Sequence, residues 1–362
     1  MNTPPTDQPS AGALPAAMRA ARFHAPRDVR VERVPVPAPG PGEVLLRVLV
    51  ATTCGTDLKA YRRGHPVLLG PPPAPFGHEY AGEVAAVGRG VTQWALGQRV
   101  VGANSAPCGA CSYCARGQES LCERLALWNG AYAEYALVPA PIVARNLYPL
   151  PPDLAAASAA LCEPLACALH AVDDAGVREG DTVAILGSGP LGLLLLASAR
   201  RAGARVVLCG RRPERLDLAR RWGAAVVLDT ATTGEGDVQA RAIRDQTPGG
   251  RGADVVIEAV GRPEVWATAV AASRPGGTVD LFGGCAHGTT VTIDTHALHY
   301  EARTLKGTFH HTPRHFAAAL AAIADGTIPA GELITGAIAL DDLVSAFARL
   351  ERGEGIKYVV RP

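Results

Sequence analysis

Four cysteines, Cys108-x2-Cys111-x2-Cys114-x7-Cys122, fall within fifteen residues. Thiolates this close can close a tetrahedral cage around Zn²⁺, and because protein fills all four positions the site would be structural rather than catalytic. An iron–sulfur cluster is the rival reading, while core packing does not explain four cysteines at ligand spacing. The other five, Cys54, Cys162, Cys167, Cys209 and Cys285, are scattered, and an odd total of nine points to thiols or metal ligands instead of disulfides. A second constellation lies outside the cysteine lobe. It consists of Cys54 in Cys54-Gly55-Thr56-Asp57, the pair His78-Glu79 after Gly77, and Glu163 in Cys162-Glu163-Pro164-Leu165-Ala166. Singly these are weak signals, since a lone cysteine is usually core and a lone histidine a satisfied polar residue. Their weight comes from occurring together, upstream of a dinucleotide motif. Three protein ligands plus an open position would make zinc a Lewis acid for an alcohol oxygen, so two zinc ions per chain are expected.

That motif is Gly187-Ser188-Gly189-Pro190-Leu191-Gly192. G-x-G-x-x-G alone occurs in many loops, but here an apolar strand precedes it and a helix follows, which is the context it requires. Gly187 permits the tight turn, Gly189 lets a pyrophosphate approach the backbone, and Gly192 lets helix and strand pack closely, while the helix N-terminus offers free N–H groups to the phosphates. An NAD site wants Asp or Glu at the end of the next strand. This chain has Cys209-Gly210-Arg211-Arg212, with Arg215 one turn on. Guanidinium groups can take a ribose 2′-phosphate bidentately, so NADP(H) is favoured over NAD(H), unless these arginines simply form a solvated face. Val260, beyond the strand Val255–Glu258, completes the candidate cofactor contacts.

The elements that must hold these residues show two textures. From Met18 to Leu150 the chain reads as short strands between Gly/Pro turns, with Val44–Val50, Tyr80–Val87, Arg99–Val101 and Tyr132–Val138 among them. Beyond Leu154 a strand–helix rhythm begins. Strands are expected at Thr182–Leu186, Arg205–Cys209, Ala225–Leu228, Val255–Glu258 and Thr278–Phe282, and helices at Pro190–Ala202 and Pro213–Trp222. Such alternation means an α/β fold with a doubly wound parallel sheet. After about residue 300 two helices, Pro313–Asp325 and Leu340–Leu350, precede a terminal strand at Lys357–Val360. A hydrophobic share of 48% with 19% charged residues suits a globular protein with a large core, and a net charge of +1 gives no electrostatic case for nucleic acid or an anionic membrane. Apolar runs such as Leu191–Ala197 fall far short of the ~20 residues a membrane helix needs. Residues Met1–Ala17, rich in Pro, Ala, Thr and Ser, lack the basic start and apolar core of a secretory signal and read as a disordered leader, so the expected location is cytoplasmic.

Taken in order, Cys54-Gly-Thr-Asp, Gly77-His78-Glu79, the four-cysteine lobe, Cys162-Glu163-Pro164-Leu165 and the glycine motif resemble the zinc-containing medium-chain dehydrogenase/reductase family across essentially the whole chain after the leader. Glu163 followed by Pro-Leu-Ala resembles its sorbitol (polyol) and threonine dehydrogenase branches, where liver-type alcohol dehydrogenases place a cysteine. The resemblance implies a GroES-like β-rich catalytic domain over residues 18–165, with the zinc lobe at about 104–124. It implies a Rossmann domain over 166–302, a return to the catalytic domain over 303–362, and an active site in the cleft. It makes Cys54, His78 and Glu79 the ligands of the catalytic zinc, with Glu163 a ligand or the holder of its water, and Thr56 the hydroxyl that takes the substrate proton. It also implies a homodimer or homotetramer acting on a small alcohol, polyol or sugar by hydride transfer to the nicotinamide. Trp128 and Phe309 would be pocket walls or plain core aromatics, and His310 and His311 could meet the nicotinamide or substrate but read better as surface histidines. One departure is Lys59, which stands where the family often has a histidine that ends a proton relay; solvent, Lys59 or Glu79 would have to serve. A zinc-free quinone or enoyl reductase, or a dinucleotide-binding protein without catalysis, are the alternatives, and the intact ligands and glycines argue against both.

Overall fold

The computed structural model describes residues 14–65 and 68–362; most of the proposed leader lies outside them. Alternating burial in Ala17–Ala25 and near-continuous burial in Val44–Thr52 build the β-rich part of the molecule. The Val44–Thr52 strand is the hub of a seven-stranded sheet, running antiparallel to Tyr80–Val87, to Tyr135–Val138 and to the last strand of the chain, Lys357–Arg361. The register places Val359 opposite Thr52 and Val360 opposite Ala51, so the C-terminal strand lies directly beside the loop that carries Cys54. Ile334–Ala339 then pairs parallel to it at the sheet edge. A core centred on Phe76, Tyr80, Tyr132 and Phe347 fills this part.

Six parallel strands form the second sheet, in the order Val226–Asp229, Arg205–Gly210, Thr182–Leu186, Ala253–Glu258, Ser273–Leu281, Thr304–Lys306. The first strand in sequence, Thr182–Leu186, is buried along its whole length, as a parallel strand covered on both faces must be. Strand order reverses there, and the crevice outside the carboxyl ends of its flanking strands is where such sheets bind ligands. Helices Cys162–Asp174, Pro190–Arg201 and Pro313–Ala324 cover one face, and Asp237–Asp245 and Pro263–Ala272 the other. The helix Cys162–Asp174 has nine buried residues and carries Glu163 in its first turn. Among the described residues no helix is long and apolar enough to cross a membrane.

Candidate active site

Cys54 caps the N-terminus of the helix Gly55–Arg63, its sulfur accepting the Thr56 amide at 3.4 Å. His78 is 3% exposed, and its Nδ1 lies 2.9 Å from Asp57 Oδ1, whose other oxygen accepts the Tyr132 hydroxyl at 2.5 Å. A carboxylate on one imidazole nitrogen fixes the ring and leaves the other free to ligate a metal. Ligand atoms of Cys54, His78 and Glu79 all lie within 4.8 Å of one another. Burial opposes a charge on His78, yet Asp57 and the Cys54 sulfur outweigh it and hold its pKa well above the usual imidazole value. The surroundings thus favour positive charge, and the donor set fits Zn²⁺.

Glu79 is fully buried. Lys357 Nζ donates to its Oε1 at 2.7 Å and also to its Oε2, which accepts the Thr52 hydroxyl as well. The same ammonium donates to the Thr53 carbonyl at 2.7 Å. Burial works against the Lys357 charge, but the Glu79 carboxylate reverses this and raises its pKa. Glu163 is 6% exposed, and burial pushes its pKa up to about 7. Lys59, the residue at the relay position, reaches across to the Gly284 carbonyl at 3.5 Å, on the loop after Ser273–Leu281; burial, then Arg63, lowers its pKa. Thr56 is half-buried beside Cys54.

In the cysteine lobe the Cys111–Cys114, Cys111–Cys122 and Cys108–Cys114 sulfur separations are 3.5, 3.9 and 4.0 Å. A tetrahedral site with zinc–sulfur bonds of ~2.3 Å requires sulfurs ~3.8 Å apart, so the four thiols already have the spacing of a zinc cage. Amides of Cys108, Ala110 and Arg124 donate to the sulfurs at 3.1 to 3.4 Å. The Ala110 amide in particular brings the Cys108 thiol down to about 6.

The glycine motif turns as its spacing requires. Gly187 has φ +122°, and a Cβ at Gly192 would collide with the Gly187 carbonyl. Pro190 starts the helix Pro190–Arg201, with Leu191 in its first turn; Gly189 caps it without a side-chain hydrogen bond, leaving the first N–H groups for an anion. Glu258 accepts the Val260 amide at 2.7 Å and the Gly261 amide at 2.9 Å, fixing Val260 against Gly187. A depression of ≈ 340 Å³ contains Gly187, Gly189, Gly210, Arg211, Arg212, Arg215 and Val260, and adds Thr230, Glu235 and Arg262. The arginines are not equivalent. Arg211 pairs with Glu235 and reaches Thr230 Oγ1 at 3.3 Å. Arg212, at φ +78°, packs on Gly353, and Arg215 donates to the Gly355 carbonyl at 2.8 Å, so both meet the C-terminal segment. Sequence reasoning missed Glu235 and Lys357, which no local motif marks.

The expectation of surface histidines at 310 and 311 is overturned. His311 is 2% exposed and His310 half-buried, because the segment after Thr304–Lys306 runs into the junction between the two sheets. His310 Nε2 sits 2.6 Å from Ser105 Oγ, while His311 Nε2 sits 3.3 Å from Asn104 Oδ1 and 3.9 Å from Glu163 Oε1. Burial drives the His310 pKa down to about 3 and that of His311 well below the usual value. Trp128 packs on buried Tyr80 with ring centroids 4.9 Å apart, and Phe309 is 50% exposed.

A fold with a nucleotide crevice and a Cys–His–Glu constellation, its histidine and glutamate buried, defines a zinc-dependent, NAD(P)-linked oxidoreductase, and comparison with known proteins agrees. Residues 40–152 match the alcohol dehydrogenase GroES-like domain and residues 190–325 the zinc-binding dehydrogenase family. The chain is 33% identical over 368 residues to erythritol/L-threitol dehydrogenase of Mycolicibacterium smegmatis, covering 96% of this chain and 99% of the relative. It is 30% identical over 325 residues to D-xylulose reductase A of Aspergillus oryzae, covering 88% and 89%. Among solved structures, alcohol dehydrogenase TADH from Thermus sp. ATN1 superposes with TM-score 0.86 at 30% identity, over 95% of this chain and 100% of that one. A protein assigned as a zinc-binding dehydrogenase from Sinorhizobium meliloti 1021, bound to NADP, gives TM-score 0.86 at 32% identity over 96% and 100%. The chain belongs to the zinc-containing medium-chain dehydrogenase/reductase family, close to its sorbitol/polyol dehydrogenases.

Proposed function

We propose that the protein interconverts a polyol, sugar or secondary alcohol and the matching ketone, using NADP(H) in preference to NAD(H) and two zinc ions per chain. The observation that carries this reading is the convergence of Cys54, His78 and Glu79 within 4.8 Å, with buried Glu163 beside them. Zinc held by Cys54, His78 and Glu79 would supply Lewis acidity towards the substrate oxygen, and the nicotinamide would accept the hydride. The chain's own residues do the rest. Asp57 orients His78, and Lys357 fixes the Glu79 carboxylate and balances its charge. The Thr56 hydroxyl takes the alcohol proton, and Lys59, facing the cofactor side at Gly284, passes it to solvent. Cys108, Cys111, Cys114 and Cys122 hold the second, structural ion.

The sugar-alcohol substrate class is supported by the relatives' names, erythritol/L-threitol dehydrogenase and D-xylulose reductase. The preference for NADP(H) is supported by Arg211, Arg212 and Arg262 around the depression, and by NADP in the Sinorhizobium structure. An open edge strand, Thr304–Lys306, close in sequence to exposed Tyr300 and Leu298, supports a homodimer or homotetramer; a mass measured by light scattering tests it. The test of function is oxidation of a panel of polyols, sugars and secondary alcohols with NAD⁺ and NADP⁺ in parallel. Activity with NADP⁺ that chelation abolishes and zinc restores is the expected result. Silence across the panel with zinc bound would remove the reading.

A further inference from the structure

We propose that the substrate carries an oxyanion, a phosphate or carboxylate, at the end of its carbon chain, and that Arg63 with Lys59 receives it at the mouth of the active site. The inference names the substrate of the dehydrogenase site already proposed and rests on that reading. The helix Gly55–Arg63 starts at Cys54 and buries Asp57, Ala60 and Tyr61. Thr56, Lys59 and Arg63, three and four residues apart, therefore form one stripe beside that buried face, half-buried at Thr56 and Lys59 and exposed at Arg63. Arg63 stands two turns past Thr56, or about 10 Å of helix. It is thus placed for the far end of a bound chain molecule, while Thr56 serves the reacting hydroxyl.

The charge in this stripe lacks a counter-ion. Lys59 donates to a neutral carbonyl, that of Gly284, and among the described residues neither Lys59 nor Arg63 forms an ion pair. Arg62, one position away on a different stripe, does pair, with Glu351 at 3.4 Å. The acid that acts on Lys59 from the opposite wall is Glu258, and it is already committed. Its Oε1 accepts the Val260 and Gly261 amides, and its Oε2 accepts the Trp266 indole N–H at 3.0 Å. The two cations therefore stand against each other: burial first, and Arg63 next, lower the pKa of Lys59. Both also act on Cys285, beside Gly284, although burial and Glu258 keep the pKa of that thiol raised. Like charges held together repel, and an anion between them relieves the repulsion. The whole chain carries only +1, so this is a local feature and not a general basicity. A guanidinium takes phosphate or carboxylate bidentately, and a cationic cleft concentrates anionic substrates. The cofactor's own phosphates have donors elsewhere, at the N-terminus of Pro190–Arg201, which follows the strand Thr182–Leu186. Lys59 instead meets the loop after Ser273–Leu281, two strands away in that sheet.

Matched substrates test it. Oxidation of xylitol, xylonate and xylitol 5-phosphate is measured with the wild type, Arg63→Gln and Arg63→Lys, and binding of each compound is followed by calorimetry, with thermal melting to report that the variants are folded. The wild type should favour at least one anionic compound over xylitol by about tenfold or more in kcat/KM, mostly through KM, as a charge-assisted contact provides. That margin should shrink as salt is raised. Arg63→Gln should lose the margin, and Arg63→Lys should restore part of it. A margin for xylitol 5-phosphate alone assigns a phosphate, and one for xylonate a carboxylate. The anion site is overturned by a wild type that prefers xylitol, by a margin that survives in Arg63→Gln, or by a loss shared equally among the three compounds or confined to the cofactor's KM. If no compound is oxidised, the dehydrogenase reading fails for this class and calorimetry decides the anion site separately. Tighter binding of an anionic compound by the wild type than by Arg63→Gln supports it, and equal binding ends it.

Discussion

Lys357 Nζ stands 2.7 Å from Glu79 Oε1, with the lysine 1% exposed and the glutamate fully buried. The pair joins the last strand of the chain to the residue after His78, so the loops that carry Cys54 and His78 are closed from the far end of the sequence. Removing one member of a buried ion pair leaves the other charge unpaired and costs about 3–5 kcal/mol. Lys357→Met is expected to lose stability on that scale. Lys357→Met with Glu79→Gln should recover most of it, because no bare charge then remains. Urea unfolding of the four members of the cycle checks this, and a double variant as unstable as the sum of the singles would show that the two residues are not coupled.

The cysteine lobe hangs together by its sulfurs and the short stretch Ser112–Ala115, with little apolar packing of its own. Structural zinc contributes roughly 10–16 kcal/mol of apparent binding energy to small sites of this kind. Cys111→Ser should therefore lose one equivalent of zinc and expose the segment between residues 108 and 122 to proteases. Metal analysis and mass mapping of the first cleavage site read both effects. Retention of the full zinc content would sink the assignment.

Asp280 ends in a buried carboxylate whose Oδ1 accepts the Thr308 amide at 3.0 Å and whose Oδ2 has no partner among the described residues. Burial chiefly raises its pKa to about 7. An unfolded aspartate titrates near 3.9, so between about pH 4 and 7 the folded state holds a proton that the unfolded state has released. Its stabilising effect is complete below the unfolded value and is lost as pH rises through the folded one. Asp280→Asn stays neutral at every pH. Its stability advantage over the wild type should grow from pH 5 to 7, by up to about 1.4 kcal/mol per unit, and then level off. Unfolding curves at pH 5, 6, 7 and 8 measure the difference; one that stays flat contradicts the proposed burial of a neutral acid.

The clustering of the four cysteines and the turn of the glycine motif were legible because both are local: thiols or glycines fall within one loop, where spacing alone carries geometry. The parallel strands were legible for the same reason, each being a short apolar run between turns. Thr304–Lys306, three residues long, and Ile334–Ala339, an alternation of small residues, escaped because neither run is apolar enough to announce a strand. Lys357 escaped for a different reason. It is 278 residues from Glu79, and its one local hint is a charge at the head of an apolar terminal strand. His310 and His311 were misread since two adjacent histidines on a polar segment look exposed until the packing of a distant segment buries them. Glu235 lies beyond the following strand, well past the position where a ribose-reading carboxylate is sought.

That carboxylate bears on cofactor choice. Arg211 is paired with Glu235, and Arg262 Nη2 lies 3.6 Å from the same Glu235 oxygen. A ribose 2′-phosphate would have to draw these guanidiniums away from Glu235, while a plain 2′-hydroxyl could donate to the carboxylate. Arg211→Ala should then cost NADP⁺ more than NAD⁺, lowering the ratio of their kcat/KM values by at least about tenfold, the equivalent of one charge-assisted hydrogen bond. Glu235→Gln should shift the ratio the other way, by freeing both arginines for the phosphate and weakening acceptance of the hydroxyl. Initial rates with both cofactors on one substrate measure the two ratios. If Arg211→Ala leaves the ratio unchanged while Glu235→Gln lowers NAD⁺ use, Glu235 is the residue that reads the ribose and the enzyme is built for NAD(H).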